Sequence, residues 1–181
     1  MGTTQTALRP ADLMTLPVPE GVRHYELSDG ELIPVGNAGA RHDLITSRIL
    51  EALFAWRFQH GGGKIFSESM FTLSEQTVRI PDVAVVLAEK LAAMPDADVP
   101  ILFAPDLAVE VVSGSESAWA AETKVREYLS TGVGEVWQLF PEDRTVHVRS
   151  AEGVRIVEAD GVLTSGVLDG FEARVESFFV G

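Results

Sequence analysis

The chain has no cysteine, which excludes a disulfide frame and any thiolate-held metal, and gives no sign of an oxidising compartment. Lysine is nearly as scarce: Lys64, Lys90 and Lys124 are the only three among 14 basic residues, set against 27 acids, for a formal net charge of −13. A field of that sign repels phosphate backbones at long range, so general nucleic-acid binding is disfavoured unless cations or a local basic patch offset it. No apolar run approaches the roughly 18 residues of a membrane span. The opening "MGTTQTALRPADLM" also lacks the basic start and apolar stretch of a secretory signal. A cytoplasmic protein without a membrane partner is the expectation.

Several familiar chemistries are missing too. "GGGKI" does not have the full Gly-x4-Gly-Lys-Ser/Thr spacing of a phosphate loop and precedes a strand, so it reads as a helix stop. "VSGSES" has no Gly-x-Ser-x-Gly elbow, and His24, His60 and His147 form no metal spacing. Arg41, Arg48 and Arg57 sit on or near one helix and could touch phosphate, but solvated helix charges account for them better.

What is present suits one compact domain over residues 1–181: 46% of the residues are apolar, enough to bury a sizeable core. A short helical start falls near residues 10 to 16. Two short alternating runs about Asp29-Gly30 predict a hairpin over residues 23 to 35. Ile45, Ile49, Leu53 and Trp56 recur at three- and four-residue spacing and predict a helix from Asp43 to about Gln59, ended by Gly61 to Gly63. "KIFSESMFTL" and "VRIPDVAVVL" predict an antiparallel pair, and a short helix at "AEKLAAM" with a Pro-containing loop leads to "LAVEVV", a strand buried on both faces. A helix over residues 117 to 131 and the strand "GVGEVWQLF" would complete a right-handed parallel crossover. "RTVHVRS" and "VRIVEAD" predict a terminal hairpin, and "GFEARVESFF" closes the chain. The order is helix, three strands, helix, strand: an α/β (α+β) architecture around a mixed sheet, with β-hairpin additions at both ends.

Two acids stand out in the apolar strands. If the three strands form a meander, Asp82 and Glu110 fall on neighbours and can face each other. There they would repel unless one takes up a proton or a cation lies between them, and Mg²⁺ accepts one or two carboxylates while keeping several waters. Asp82 follows Pro81, so a strand-start residue satisfying backbone N–H groups is the competing account. Glu110 is mid-strand, with no turn or cap role, and its competitor is burial against an arginine. Asp106, four residues earlier and roughly 13 Å away at strand rise, reads as a strand-entry cap. Lys124 lies at the edge of the buried stripe Ala118, Ala121, Val125 and Leu129, so its ammonium could reach the acids, or it is a solvated lysine beside Glu122 and Glu127.

Taken in order, "YELSDGEL", "RH" at the first helix start, "RIPDVAVV", "APDLAVEVVSGS", "TKVREYLSTGVGEVWQL" and "RTVHV" resemble the Uma-type restriction endonuclease family of the PD-(D/E)XK nuclease superfamily. The resemblance runs from about Tyr25 to Val148. It implies a restriction-endonuclease-like core and a Mg²⁺-dependent (or Mn²⁺-dependent) endonuclease acting on DNA. Asp82 and Glu110 would be metal ligands with the Val111 carbonyl assisting, and a lysine would orient the attacking water. The lysine expected two residues after Glu110 is replaced by Val112, and the resemblance puts Lys124 in its place. Glu26 matches a family acid that could complete the site, His42 matches a family histidine, and Glu31 is a further candidate. An exposed hairpin acid, for Glu26 and Glu31, and a helix-entry residue, for His42, are the plain alternatives. Phe140 and Gly114 depart from the family pattern in loops near the site. The pairing common in the superfamily makes a homodimer an expectation. The second functional class is a catalytically inactive nuclease-fold protein serving as a binding or scaffold module, which the acidic charge and the missing strand lysine favour.

Overall fold

The structure, a computed structural model, describes residues 8–94, 100–114 and 116–179. In chain order it begins with α1 (Pro10–Leu13), the hairpin β1 (Val22–Ser28) and β2 (Glu31–Gly36), and the long helix α2 (Ala40–His60). Four strands follow, β3 (Gly63–Ser67), β4 (Phe71–Ser74), β5 (Thr77–Arg79) and β6 (Val83–Leu87), then α3 (Ala88–Leu91), β7 (Leu107–Val111), α4 (Ala118–Ser130) and β8 (Glu135–Phe140). The chain ends in β9 (Thr145–Ser150), β10 (Gly153–Val157), β11 (Val162–Thr164), β12 (Glu172–Arg174) and α5 (Glu176–Phe179).

The main sheet has six strands in the order β10-β9-β8-β7-β6-β3 and is mixed: β7 and β8 run parallel and the other neighbours antiparallel. The β7-α4-β8 crossover and the meander β3-β6-β7 are therefore both present. One expectation fails in detail. "KIFSESMFTL" and "VRIPDVAVVL" are not two strands but four, because each breaks in its middle and changes sheet. β3 and β6 join the main sheet, while β4 and β5 join a second, four-stranded sheet in the order β2-β1-β5-β4. In one of the two runs the break falls at Pro81, whose missing N–H cannot sustain a ladder and which biases the residue before it to extended backbone. In the other it falls at Glu68, which adopts a positive φ of 48°.

Side-chain alternation sorts the faces of the main sheet. Val83, Val85, Leu107, Val109, Val111, Trp137 and Leu139 pack in one cluster with Ile45, Ile49, Leu53 and Trp56 of α2. The alternate residues Ala108 and Val136 pack on Val125 and Tyr128 of α4. Glu110 has the parity of Ala108 and so faces α4. A pair of small changes from expectation matters for the site. Ala118 is exposed and Leu129 half-buried, so the buried stripe of α4 runs through Ala121, Val125 and Tyr128. Among the described residues, no helix is long and apolar enough to cross a membrane.

Candidate active site

Asp82 sits one residue before β6, at the break where that chain segment changes sheet. The β6–β7 register pairs Val83 with Val109 and Ala84 with Ala108, and continuing it by one residue sets Asp82 opposite Glu110 on the same face. Asp82 Oδ2 accepts the Val111 N–H at 2.7 Å and lies 3.1 Å from His42 Nε2. The Asp82 carboxylate thus does what a strand-start residue does, satisfying a backbone N–H, and also faces its neighbour acid. The hydrogen bond that His42 makes to the Asp82 carboxylate raises the His42 pKa above its ordinary value, against the opposing effect of burial. Among the described residues His42 Nδ1 meets no hydrogen-bond partner, although the Asp43 carboxylate is 3.5 Å away.

Glu110 is held from α4. Tyr128 Oη donates to Oε1 at 2.7 Å and Lys124 Nζ lies 3.4 Å from Oε2. Burial pushes the Glu110 carboxyl up to about 7; Lys124 works against this, and the charges of Asp82 and Glu26 add to it. Burial would lower Lys124, but the carboxylates of Glu110, Glu26 and Glu116 outweigh it and hold the ammonium above its ordinary range. Lys124 is 3.9 Å from Glu26 Oε2 and 3.4 Å from Glu116 Oε1. It is therefore a cation at neutral pH, suited to hydrogen-bond donation and charge stabilisation rather than to accepting a proton.

Glu26 is fully buried, not an exposed hairpin acid. Its Oε2 accepts from Arg79 at 2.7 Å and its Oε1 from the Ile80 N–H at 2.9 Å. Arg79, itself 3% exposed, also donates from Nε to Glu127 Oε2 at 2.6 Å, and Ser28 closes the network on the other Glu127 oxygen. Burial lowers the Arg79 pKa, but the two carboxylates more than reverse this, so the guanidinium is permanently charged. Arg79 thus ties the β1–β5 sheet to α4, one turn beyond Lys124. Asp106 takes the strand-entry place, accepting the Leu87 N–H at 2.7 Å and pairing with Lys90 at 2.9 Å.

One cavity of about 400 Å³ gathers these groups. Asp82, Glu110, Val111, Lys124, Glu26, His42 and Glu31 all line it, with Glu31 exposed at the first position of β2. Arg79, Glu116 and Trp119 also line it and were not anticipated, nor was the part played by Tyr128 and Glu127. The signal for Arg79 was available, since a charged residue inside "TVRIP" needs a partner as much as Glu110 does. Of "VSGSES", Ser115 lies outside the described residues.

As a donor set for a hard divalent cation, the two facing carboxylates with an adjacent backbone carbonyl fit Mg²⁺, which commonly takes one or two protein carboxylates and keeps water for the rest. Among the described residues, no group of three or more His, Asp or Glu side chains is arranged to hold a metal. A cation held by these two acids would have to complete its shell with water or substrate.

Residues 10–176 match the model of the Uma2 family, described as "Putative restriction endonuclease". The fold is shared with a crystal structure described as a putative nuclease from Anabaena variabilis: the TM-score is 0.81 at 18% identity, over 95% of this chain and 97% of that one. No curated protein matches the chain.

Proposed function

The chain belongs to the Uma2 family, and on that premise we propose that it hydrolyses phosphodiester bonds of DNA with Mg²⁺ or Mn²⁺ as cofactor. The observation that carries this is Asp82 set opposite Glu110 in the lining of the cavity, with the charged Lys124 ammonium 3.4 Å from Glu110. Asp82 and Glu110 would hold the cation, with the Val111 carbonyl beside them. A bound Mg²⁺ would polarise a phosphoryl oxygen and lower the pKa of an attacking water. The chain's own groups do the rest. Tyr128 and Lys124 fix the Glu110 carboxylate, and His42 with the Val111 N–H fixes Asp82, so both acids are oriented before anything binds. Lys124 offers N–H donors to the attacking water and to negative charge developing on phosphate, inside a partly water-excluded site. Glu26 and Arg79 keep the helix carrying Lys124 in place against the sheet.

A second reading, a nuclease-fold module that binds without cutting, draws on a different observation. Among the described residues, Arg79 and Lys124 are the Arg and Lys side chains that line the cavity, and both are engaged by carboxylates, so no basic rim is seen around the acids. The experiment that separates the two is a calorimetric titration of Mg²⁺ and Mn²⁺ into the wild type, Asp82→Ala and Glu110→Ala, with cleavage of single- and double-stranded DNA assayed on the same samples. Cation binding with cleavage, both lost in either variant, is the expected result. Absence of cation binding at millimolar concentration, with no cleavage, would overturn the catalytic reading in favour of the binding module.

A further inference from the structure

Trp119 is 75% exposed, whereas Trp56 and Trp137 are buried at 7% and 1%. An indole left this open on a helix loses the burial that normally accounts for tryptophan. Its position is not arbitrary, because Trp119 lines the same cavity as Asp82, Glu110 and Lys124. It stands in the first turn of α4, five residues before Lys124, or about 7.5 Å along the helix axis. Ile33, Pro34 and Val35 of β2 line the cavity as well. The cavity is therefore amphipathic, lined by carboxylates and an ammonium together with a flat aromatic side chain and apolar residues of β2. A ligand that matches this lining carries both phosphate and a flat π-face.

The charge distribution narrows this further. A protein that grips duplex backbone neutralises many phosphates with free Lys and Arg. Here the net charge is −13, and the cavity's Arg and Lys side chains are already ion-paired. Affinity for nucleic acid must then come from something other than phosphate neutralisation, and base stacking on an exposed aromatic is the contribution that needs no positive field.

We infer that Trp119 is a stacking platform for an unpaired nucleobase, so that the nucleic acid entering this cavity is single-stranded where it meets the two acids. The inference rests on the phosphodiesterase reading above and specifies its substrate class. Duplex DNA buries its base faces in its own stack and can meet an indole only by flipping or fraying a nucleotide, which costs a few kcal/mol. Single strands, DNA or RNA, present those faces directly.

The test uses the intact chain with Ca²⁺, to permit binding without turnover, and follows tryptophan fluorescence, since Trp119 is the exposed indole of the three. The probes are a short single-stranded oligodeoxynucleotide, an RNA of the same sequence, a fully paired blunt-ended duplex and an abasic strand with the same number of phosphates. Quenching by either single strand is expected, with at least tenfold weaker binding of the duplex and the abasic strand. Trp119→Ala should lose about tenfold or more in single-strand affinity, in line with the usual worth of one stacked base, and Trp119→Phe should regain most of it. Equal affinity for the blunt-ended duplex and the single strand, or an unchanged single-strand affinity in Trp119→Ala, would overturn the inference. Cleavage with Mg²⁺, sensitive to Asp82→Ala, is assayed alongside. If cleavage persists while Trp119→Ala binds normally, stacking fails and the nuclease reading stands. If no probe binds and none is cut, both fail.

Discussion

Tyr128 Oη donates a 2.7 Å hydrogen bond to Glu110 Oε1, joining the one phenol buried under α4 to the one acid in the middle of β7. Burial raises the Tyr128 pKa well above its ordinary value, with the nearby Glu110 charge adding to it, so the hydroxyl stays a donor across the physiological range. The bond fixes the rotamer of a carboxylate that would otherwise be free to turn from Asp82. Tyr128→Phe keeps the ring and its packing while removing that donor. We expect a stability loss of about 1–3 kcal/mol in urea denaturation, the usual cost of an unsatisfied buried acceptor. Mg²⁺ affinity should fall about 10–100-fold by calorimetry, as when a ligand loses its supporting hydrogen bond. Unchanged cation affinity would mean that Glu110 does not depend on Tyr128 for its orientation.

The raised pKa of Glu110 gives a pH signature. Its folded-state value of about 7 lies above the ordinary 4.5, so the fold favours the protonated form. The stabilising contribution is then fully present below about pH 4.5 and is lost as pH rises through 7. Cation binding should run the other way, strengthening as pH rises through 7, with proton release on binding below it. Calorimetry in buffers of different ionisation enthalpy measures that release. Glu110→Gln should abolish both the release and this part of the stability profile.

Lys124→Met separates binding from chemistry. Removing a positive charge 3.4 Å from Glu110 removes the group that competes with a cation there, so Mg²⁺ affinity should be kept or improved while cleavage falls about 100-fold or more. A parallel loss of both would mean that the hold of Lys124 on Glu110, not its charge beside the phosphate, is what cleavage requires.

Arg79 holds two carboxylates, Glu26 at 2.7 Å and Glu127 at 2.6 Å. Arg79→Met should cost about 3–5 kcal/mol, because it leaves buried acid unpaired. The double variant Arg79→Met/Glu26→Gln should recover part of that, as denaturation midpoints would show. Equal stability of the single and double variants would mean that leaving Glu26 without Arg79 costs the fold nothing.

The strand alternation, the four-residue repeat of α2 and the β7-α4-β8 crossover were legible in the sequence because each is a local pattern with one stable solution. The pairing of Asp82 with Glu110 followed from strand order once a meander was assumed. The splitting of two apparent strands between two sheets was not legible: Pro81 permits a break in "VRIPDVAVVL", but it is the second sheet's need for a partner strand that pairs Val78 with Leu27 while Val83 pairs with Val109.

By itself, then, the sequence determined the composition of the site: two acids in apolar strands, an acid on the first hairpin, a histidine at a helix start and one lysine on the following helix. Only the tertiary structure decided what each of them touches. It buried Glu26 against Arg79, rotated α4 so that Tyr128 and Lys124 share Glu110, and left Trp119 exposed at the same cavity. Periodicity specifies which side of an element is buried. Which charged partner waits there depends on packing between elements far apart in the chain, and local pattern carries no record of it.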